Sequence, residues 1–463
     1  MQEGRVQFNH MLNYDELVIK YNVSGPRYTS YPSSPFWIQS PTQEEWIQSL
    51  NQAFISDQSQ GAALYIHIPF CQSLCSYCGC HKRITRKHEV SKPYLETLLL
   101  EWQLYQSQLN RKIVLKEIHL GGGTPTFLSP DELRFLVEGL MTNTTLTDDY
   151  EFSVEADPRV TSEDHLKTLF QLGFKRLSLG VQDFDPKVQK AIHRVQSERQ
   201  IEALTELARQ IGFTSVNYDL IYGLPFQTTG SMERTIESVL RLRPDRIAFY
   251  SYAHVPWIKP AQRRFTEADL PHSVKKRELY ELGRKAFESN QYREIGMDHF
   301  SLETDSLWKA TQEGSLHRNF MGYLHRQVSP LMGLGVSSIG DSWVSFAQNE
   351  KQLEVYEKRV RQGELPIARG HLLSPEDEVL RRHILNLMTQ MKTSWDASFQ
   401  SISNFRDIFS ALEALQEDGI IELTSSSCRV TQRGVPFLRN VCMAFDVYLI
   451  KKGSQANVFS KTI

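Results

Sequence analysis

Residues 62–80 read Ala62-Ala63-Leu64-Tyr65-Ile66-His67-Ile68-Pro69-Phe70-Cys71-Gln72-Ser73-Leu74-Cys75-Ser76-Tyr77-Cys78-Gly79-Cys80. The first seven are a short, largely apolar, strand-like run. Four of the six cysteines of the chain then fall within ten residues, at Cys71, Cys75, Cys78 and Cys80. A disulfide-stapled domain would spread its cysteines over loops; this crowding reads as a metal or redox site in a reducing compartment. A C-x3-C-x2-C run folds as one loop around a compact cluster, and thiolates are the usual ligands of iron–sulfur clusters. Three thiolates on a four-iron cube leave one iron open to an external ligand. Zinc is the second reading, because Cys80 would complete a four-ligand site. Such sites usually pair two C-x2-C elements far apart, and no second element follows. Cys428 and Cys442 stand alone and read as small apolar fillers.

Outward from this loop the chain alternates. A helical pattern at 91–109 precedes the strand-like Glu117-Ile118-His119-Leu120, which ends in Gly121-Gly122-Gly123-Thr124-Pro125. Ser129-Pro130-Asp131-Glu132 opens another helix with Pro at its first position. Further strand-like segments lie at 151–156, 176–181, 215–222 and 246–252, with helices expected at 161–171, 185–211 and 230–241. Strand after every helix means βαβ units and a parallel sheet. Six successive strands deliver small or polar groups at their C-terminal ends: Tyr65, His67 and the cysteines, the triple glycine, Glu155, Gln182, Asp219, then Tyr252-Ala253-His254. That rim is where a parallel barrel builds its active site. The glycines let a ligand approach the backbone closely. They lack the Lys of a P-loop and the G-x-G-x-x-G spacing. A zwitterionic ligand with an amino group and a carboxylate suits them better than a phosphate.

Composition bounds the rest. The chain has 463 residues, 40% hydrophobic and 23% charged, and Lys+Arg 52 against Asp+Glu 54 gives a net charge of −2. This is an ordinary globular composition, sized for two or three domains at about 150 residues each. A balanced charge argues against a nucleic-acid footprint. No run approaches the roughly eighteen apolar residues of a membrane span, and MQEGRVQFNHMLNYDE carries no apolar signal core. A cytoplasmic enzyme is expected.

The segment Tyr65-x-His67-Ile-Pro-Phe-Cys71-x3-Cys75-x-Tyr77-Cys78, followed by Gly-Gly-Gly-Thr-Pro, resembles the radical S-adenosylmethionine (SAM) superfamily. More narrowly, the chain resembles the oxygen-independent coproporphyrinogen III oxidases. The narrower match rests on Ser24-Gly25-Pro26-Arg27-Tyr28-Thr29-Ser30-Tyr31-Pro32, on Cys78-Gly79-Cys80, on Ile295-Gly296-Met297-Asp298-His299-Phe300, and on His317-Arg318-Asn319-Phe320-Met321-Gly322-Tyr323 with Gly333-Leu334-Gly335-Val336-Ser337-Ser338-Ile339. Arg439-Asn440-Val441-Cys442-Met443-Ala444-Phe445-Asp446 adds to it. The resemblance runs from about residue 22 to the C-terminus. After Gly322-Tyr323 the family pattern has small hydroxyl residues, and here the chain departs with Leu324-His325-Arg326.

The resemblance implies that Cys71, Cys75 and Cys78 bind a [4Fe–4S] cluster, and that two SAM molecules are held. The first would contact Tyr65, Gly122, Glu155 and Ile339, and the second Tyr77, Gly123, Thr124, Gln182, Arg194, Asp219 and Ala253. Cys80 matches a family cysteine that is not a cluster ligand and bears on catalysis. The implied reaction is a radical, oxidative decarboxylation of two propionates of coproporphyrinogen III to vinyl groups in haem biosynthesis. It needs a one-electron donor protein, flavodoxin-like or ferredoxin-like. Arg27, Arg263, Arg264 and Arg318 are candidates for the substrate carboxylates on charge alone. His67, His119, His254 and His299 read as structural histidines. A haem chaperone of the same superfamily is the alternative. Those relatives usually carry an acidic-aromatic pair after the third cysteine and lack the Pro26–Tyr31 segment. A non-catalytic zinc or regulatory protein would leave the six strand ends without common purpose.

The expected architecture is α/β: a partial, open-sided parallel (β/α)6-type barrel over 61–345, an N-terminal extension (1–60) packing on it, and a mainly helical C-terminal region (346–463) that covers the substrate. Helices at 375–392 and 404–418, a hairpin over 419–430 and a helix to about Leu449 give a winged-helix-like order, but no basic stripe supports DNA binding. The polar tail from Lys451 is expected to pack loosely. No coiled coil is evident, and a monomer is expected.

Overall fold

A computed structural model describes residues 12–56, 61–452 and 459–462. One twelve-stranded sheet dominates it. Its strands are β1 (Ala62–Ile68), β2 (Ile113–Gly122), β3 (Thr144–Ala156), β4 (Phe174–Gln182), β5 (Ser215–Tyr222), β6 (Arg246–Ser251), β7 (Tyr292–Gly296), β8 (His299–Leu302), β11 (Leu331–Leu334), β12 (Ile339–Asp341), β13 (Ser345–Asn349) and β14 (Ile367–Leu372). A separate hairpin, β9 (His317–Asn319) and β10 (Gly322–Leu324), lies between β8 and β11 in sequence. The order across the sheet is β14-β13-β12-β11-β1-β2-β3-β4-β5-β6-β8-β7. Strands β1 to β6 are parallel neighbours in sequence order, as the alternation predicts. Among the described residues no pairing joins β7 to β14, so the barrel stays open.

Strand β1 is buried on both faces, which is why it reads as a nearly unbroken apolar run. Trp102, Leu133, Leu169 and Ile236 from the covering helices join the strand side chains in one core. The Ser129 hydroxyl accepts from the Glu132 amide while Glu132 reaches back to the Ser129 amide, and Pro130 sits at the first helical position. This reciprocal cap fixes where the helix begins.

Three expectations need correction, and a fourth is extended. The helix expected over 185–211 is two helices, Pro186–Ala191 and Glu198–Ile211, with His193 in the left-handed region at φ 55°. The division at 345/346 falls inside the sheet: β13 and β14 pair into it, and the helical part begins at Pro375. The N-terminal extension packs on the barrel and also on the C-terminal region. Leu17, Val18, Tyr28 and Tyr31 enter the core of the C-terminal region with Leu380, Leu412 and Phe445, whereas Trp46 and Leu50 join the barrel core. The described part of the tail is tied down: the Thr462 amide donates to Val23 O (2.8 Å) and the Gly25 amide to Ser460 O (3.1 Å).

The C-terminal region holds helices Pro375–Gln390, Phe405–Glu417 and Leu438–Ala444 around a three-stranded sheet. Strand Lys392–Ser394 joins the expected hairpin as its third member. Cys428 and Cys442 are buried there as unpaired thiols.

Candidate active site

The cysteine loop leaves β1 through Pro69 and crosses the C-terminal rim. All four loop cysteines are free thiols, Cys75 buried and Cys80 exposed. Cys71 Sγ lies 3.3 Å from Thr124 Oγ1. Arg159 Nη2 and Arg194 Nη1 approach Cys75 Sγ to 3.7 and 4.0 Å. The neighbouring Cys80 thiol, together with Lys82, pulls the Cys78 thiol down to about 5. Burial pushes Cys71 up to about 11, to which Cys78 and Cys75 add. The three thiols therefore lie within electrostatic reach of one another.

Glycines bring the strand end against this loop. The Gly123 amide donates to Ile68 O (2.8 Å), and a Cβ there would meet Pro69 backbone atoms at 2.7 Å. Gly122, at φ 112°, has its amide on Glu155 Oε2 (3.2 Å); a Cβ would strike the His67 ring at 2.6 Å. No other residue fits that conformation and space.

The expected first set comes together around β1 and β2. Tyr65 stacks on His119, ring centroids 5.9 Å apart, and His119 bridges Ser153 (2.7 Å) and Glu155 (3.2 Å). Tyr65 pairs in register with Gly333, whose missing side chain leaves room for the Ile339 backbone. The second set gathers across the rim. Arg194 donates to Asp157 (2.7 Å) and to Gly180 O (2.8 Å), and both Arg194 and Gln182 crowd the space above Gly180. Gln182 is itself left-handed, φ 68°. One amide, Gln262 Nε2, spans Ala253 O (3.1 Å) and Tyr77 O (3.4 Å). Asp219 accepts from Ser178 (3.0 Å) and Asn217 (2.9 Å); burial, with Glu155 nearby, raises its carboxyl to about 7.

Three of the four histidines are held structurally. His67 spans the Tyr65 hydroxyl (3.1 Å) and His81 O (3.0 Å), and burial lowers it to about 4. His119 is bridged as described, and His254 meets the Tyr252 hydroxyl at 3.1 Å. His299 differs: its Nδ1 is buried without a partner.

A cavity of about 140 Å3 runs up the barrel interior, lined by Glu155, Asp219, Tyr250, His299, Met321 and Tyr323 among others. Ion pairs close its lower end: Arg246 with Asp305 (2.7 Å), Arg176 with Glu151 (2.6 Å), and Arg326 with Glu117 (3.0 Å) and Asp149 (2.7 Å). The departure at Leu324-His325-Arg326 thus belongs to the barrel floor, and Leu324 lines the cavity.

Sequence reasoning passed over Asp157, Arg159 and Gln262. Asp157 carries both guanidiniums that face Cys75. Its signal was present in Glu155-Ala156-Asp157-Pro158-Arg159, an acid and a base just beyond a strand end.

The donor set fits an iron–sulfur cluster: three free sulfur ligands on one loop, two cations at one of them, and side-chain-free backbone opposite. Among the described residues no three His, Cys, Asp or Glu take the spacing of ligands to a single ion. Ligands of a cluster bind different irons and stand farther apart.

Loop, glycines and open parallel sheet together define a radical SAM protein, and the Radical SAM superfamily profile matches residues 65–239. An oxygen-independent coproporphyrinogen III oxidase of Pseudomonas aeruginosa is 38% identical over 97% of this chain and 98% of its own length. The one of Escherichia coli K12 is 38% identical over 96% and 98%. The solved structure of the coproporphyrinogen III oxidase of Escherichia coli, described as a radical SAM enzyme, superposes with a TM-score of 0.87 at 36% identity, covering 95% of this chain and 100% of that one. This chain belongs to the oxygen-independent coproporphyrinogen III oxidase family.

Proposed function

We propose that the chain converts two propionates of coproporphyrinogen III to vinyl groups without oxygen, giving protoporphyrinogen IX. Each event removes one hydrogen atom, one carbon dioxide and one electron from a propionate. Family membership and three thiols gathered against the glycine-lined strand end carry this reading.

When bound, the cluster and SAM supply a carbon-centred radical able to abstract hydrogen from a saturated carbon. Cys71, Cys75 and Cys78 would hold the cluster, with Arg159 and Arg194 placing positive charge at Cys75. Tyr65, Gly122, Glu155 and Ile339 would hold one SAM molecule. Tyr77, Gly123, Thr124, Gln182, Arg194, Asp219 and Ala253 would hold a second. Glu155 and Asp219 present carboxylates suited to an amino group or a ribose, and Arg194 a guanidinium suited to a carboxylate. Cys80, an exposed free thiol two residues past Cys78, would serve catalysis rather than ligation. The C-terminal region, locked to the N-terminal segment through Tyr28 and Tyr31, would cover the substrate and exclude water.

No helix among the described residues is long and apolar enough to cross a membrane. Within the same reading the enzyme works in the cytoplasm as a monomer, and a flavodoxin-like or ferredoxin-like protein supplies electrons. The test is anaerobic. Protein reconstituted with iron and sulfide is reduced and given SAM and coproporphyrinogen III. Protoporphyrinogen and 5′-deoxyadenosine should form together, and both should vanish in Cys75→Ala. Stoichiometric haem transfer with no vinyl product would refute the reading in favour of a chaperone.

A further inference from the structure

Of the four arginines that charge alone makes candidates for substrate carboxylates, the structure separates one. Arg263 and Arg264 are exposed; the first donates to Pro256 O (3.1 Å) and the second to the His193 ring. Arg27 is already paired, with Asp298 at 3.2 Å and Ser251 O at 2.9 Å. Arg318 is 7% exposed, yet its Nε and Nη1 have no hydrogen-bond partner. Its one bond is a long one, from Nη2 to Arg27 O at 3.4 Å. Among the described residues no carboxylate forms an ion pair with it, and a buried guanidinium with two idle nitrogens is costly until a partner completes it.

The surroundings specify that anion. Arg318 Cζ lies 4.5 Å from the centre of the Tyr323 ring, and the His299 ring packs edge-on against the same tyrosine at 5.2 Å. His299 also meets Tyr250 edge-on at 5.5 Å, and its unpartnered Nδ1 is the second idle polar group here. His299, Tyr250 and Tyr323 line the interior cavity with Asp219 and Glu155. Burial, helped by Arg318 and Arg27, holds the imidazole down at about 3, so it is neutral and can donate one hydrogen bond. The place therefore offers positive charge, a neutral donor and aromatic walls, within electrostatic reach of the Asp219–Glu155 rim. These features suit a carboxylate on a flat, apolar ring system and disfavour a cation.

We propose that Arg318, with His299 beside it, binds one carboxylate of the tetrapyrrole and thereby sets which edge of the substrate faces the strand ends. The inference rests on the reading above and adds a substrate anchor outside the cluster and SAM positions. Arg318 is a binding group here and takes no part in bond breaking.

The test uses the reconstituted protein and three readouts. Anaerobic binding of coproporphyrin III, the oxidised and fluorescent form, is compared with binding of its uncharged tetramethyl ester in the same detergent buffer. Arg318→Met should weaken binding of the acid about tenfold or more, the loss of a charge-assisted contact, and leave the ester unchanged. In turnover the same variant should raise KM for coproporphyrinogen III well beyond any fall in kcat. Its thermal midpoint should equal or exceed the wild-type value, because an uncompensated buried charge is removed. Arg318→Lys should keep the fold and lie between the two in affinity. Equal weakening of acid and ester, unchanged KM, or a variant that no longer folds would each overturn the proposal, the last because it would make Arg318 a structural bond. If the wild-type chain binds coproporphyrin III but forms no protoporphyrinogen, the function reading fails independently of this anchor.

Discussion

Asp157→Asn should destabilise the rim of the barrel by about 3–5 kcal/mol, the range for a buried ion pair stripped of one partner. The native carboxylate takes five bonds, one of them a second bond from Arg159 Nε, to Oδ2 (3.2 Å). Arg159 gives Nε to Oδ1 (3.0 Å), Nη2 to Oδ2 (2.7 Å) and its backbone amide to Oδ1 (3.0 Å), and Arg194 gives Nη1 to Oδ2 (2.7 Å). Asparagine keeps one acceptor oxygen but turns an amide donor toward a donor and loses the charge. Arg159, with a 21% exposed side chain, can turn toward water; Arg194, at 8%, cannot. Most of the cost thus falls on Arg194. The internal control is Arg241, which bridges Glu198 and Glu202 with its side chain 51% exposed, so that Arg241→Ala should cost under about 1 kcal/mol. Urea unfolding, with native-state hydrogen exchange read over residues 150–200, measures both. Iron and sulfide content after reconstitution should fall in Asp157→Asn as well, since both cations at Cys75 lose their anchor. An Asp157→Asn loss no larger than that of Arg241→Ala would refute the claim that this carboxylate organises the rim.

Two further outcomes follow from the same geometry. Glu101 is fully buried and accepts from the Gly335 amide (2.8 Å), the Tyr356 hydroxyl (2.7 Å) and Asn349 (2.6 Å), while burial raises its carboxyl to about 7. A raised acid favours the folded state when protonated, so its contribution is complete below the unfolded value near 4.5 and is lost as pH rises through about 7, about 3 kcal/mol in all. Glu101→Gln should flatten the urea midpoint between those pH values in part, Asp219 keeping a slope of the same sign; parallel wild-type and variant curves would exclude the assignment. Gly123→Ala places a methyl 2.7 Å from Pro69 backbone atoms and must push the cysteine loop from the strand end. Iron incorporation should drop severalfold while far-ultraviolet circular dichroism stays unchanged, and normal iron uptake would show that the close approach is dispensable.

The parallel half of the fold was legible because its code is local. Apolar strands buried on both faces, helices with Ser129-type caps, and polar residues just past each strand are written in consecutive residues, and β1 to β6 stand where the pattern places them. What stayed hidden depends on contacts distant in sequence. The flanking strands β7, β8 and β11 to β14 are short and gain their order from pairing with the barrel and with one another. The N-terminal extension carries apolar residues whose partners lie more than 350 residues downstream. The break inside 185–211 shows the conflict most clearly. Ala191-Ile192-His193-Arg194-Val195-Gln196 contains neither Gly nor Pro. Helical bonds give way there because Arg194 turns inward to Asp157 and Gly180 O, and Gln196 to Gly180 O (3.1 Å) and Val181 O (2.6 Å). Ser197, which caps the second helix by accepting from the Gln200 amide, was the one local sign of a restart.

The break has a functional consequence. An unbroken helix would carry residues 193–196 along the outside of the barrel, and Arg194 would end in solvent. Unwinding one turn brings its guanidinium between Asp157 and Cys75, beside Tyr77. The cost is a lost turn of helix and a left-handed His193, and buried bonds to backbone oxygens and a carboxylate offset it. Arg318 stands in contrast. It is equally buried and carries the same charge, but has no carboxylate and two idle nitrogens. Arg194 is held in place by a carboxylate of the chain itself, whereas Arg318 Nε and Nη1 have no partner in the chain. That difference is what the proposed role of Arg318 as a substrate anchor rests on.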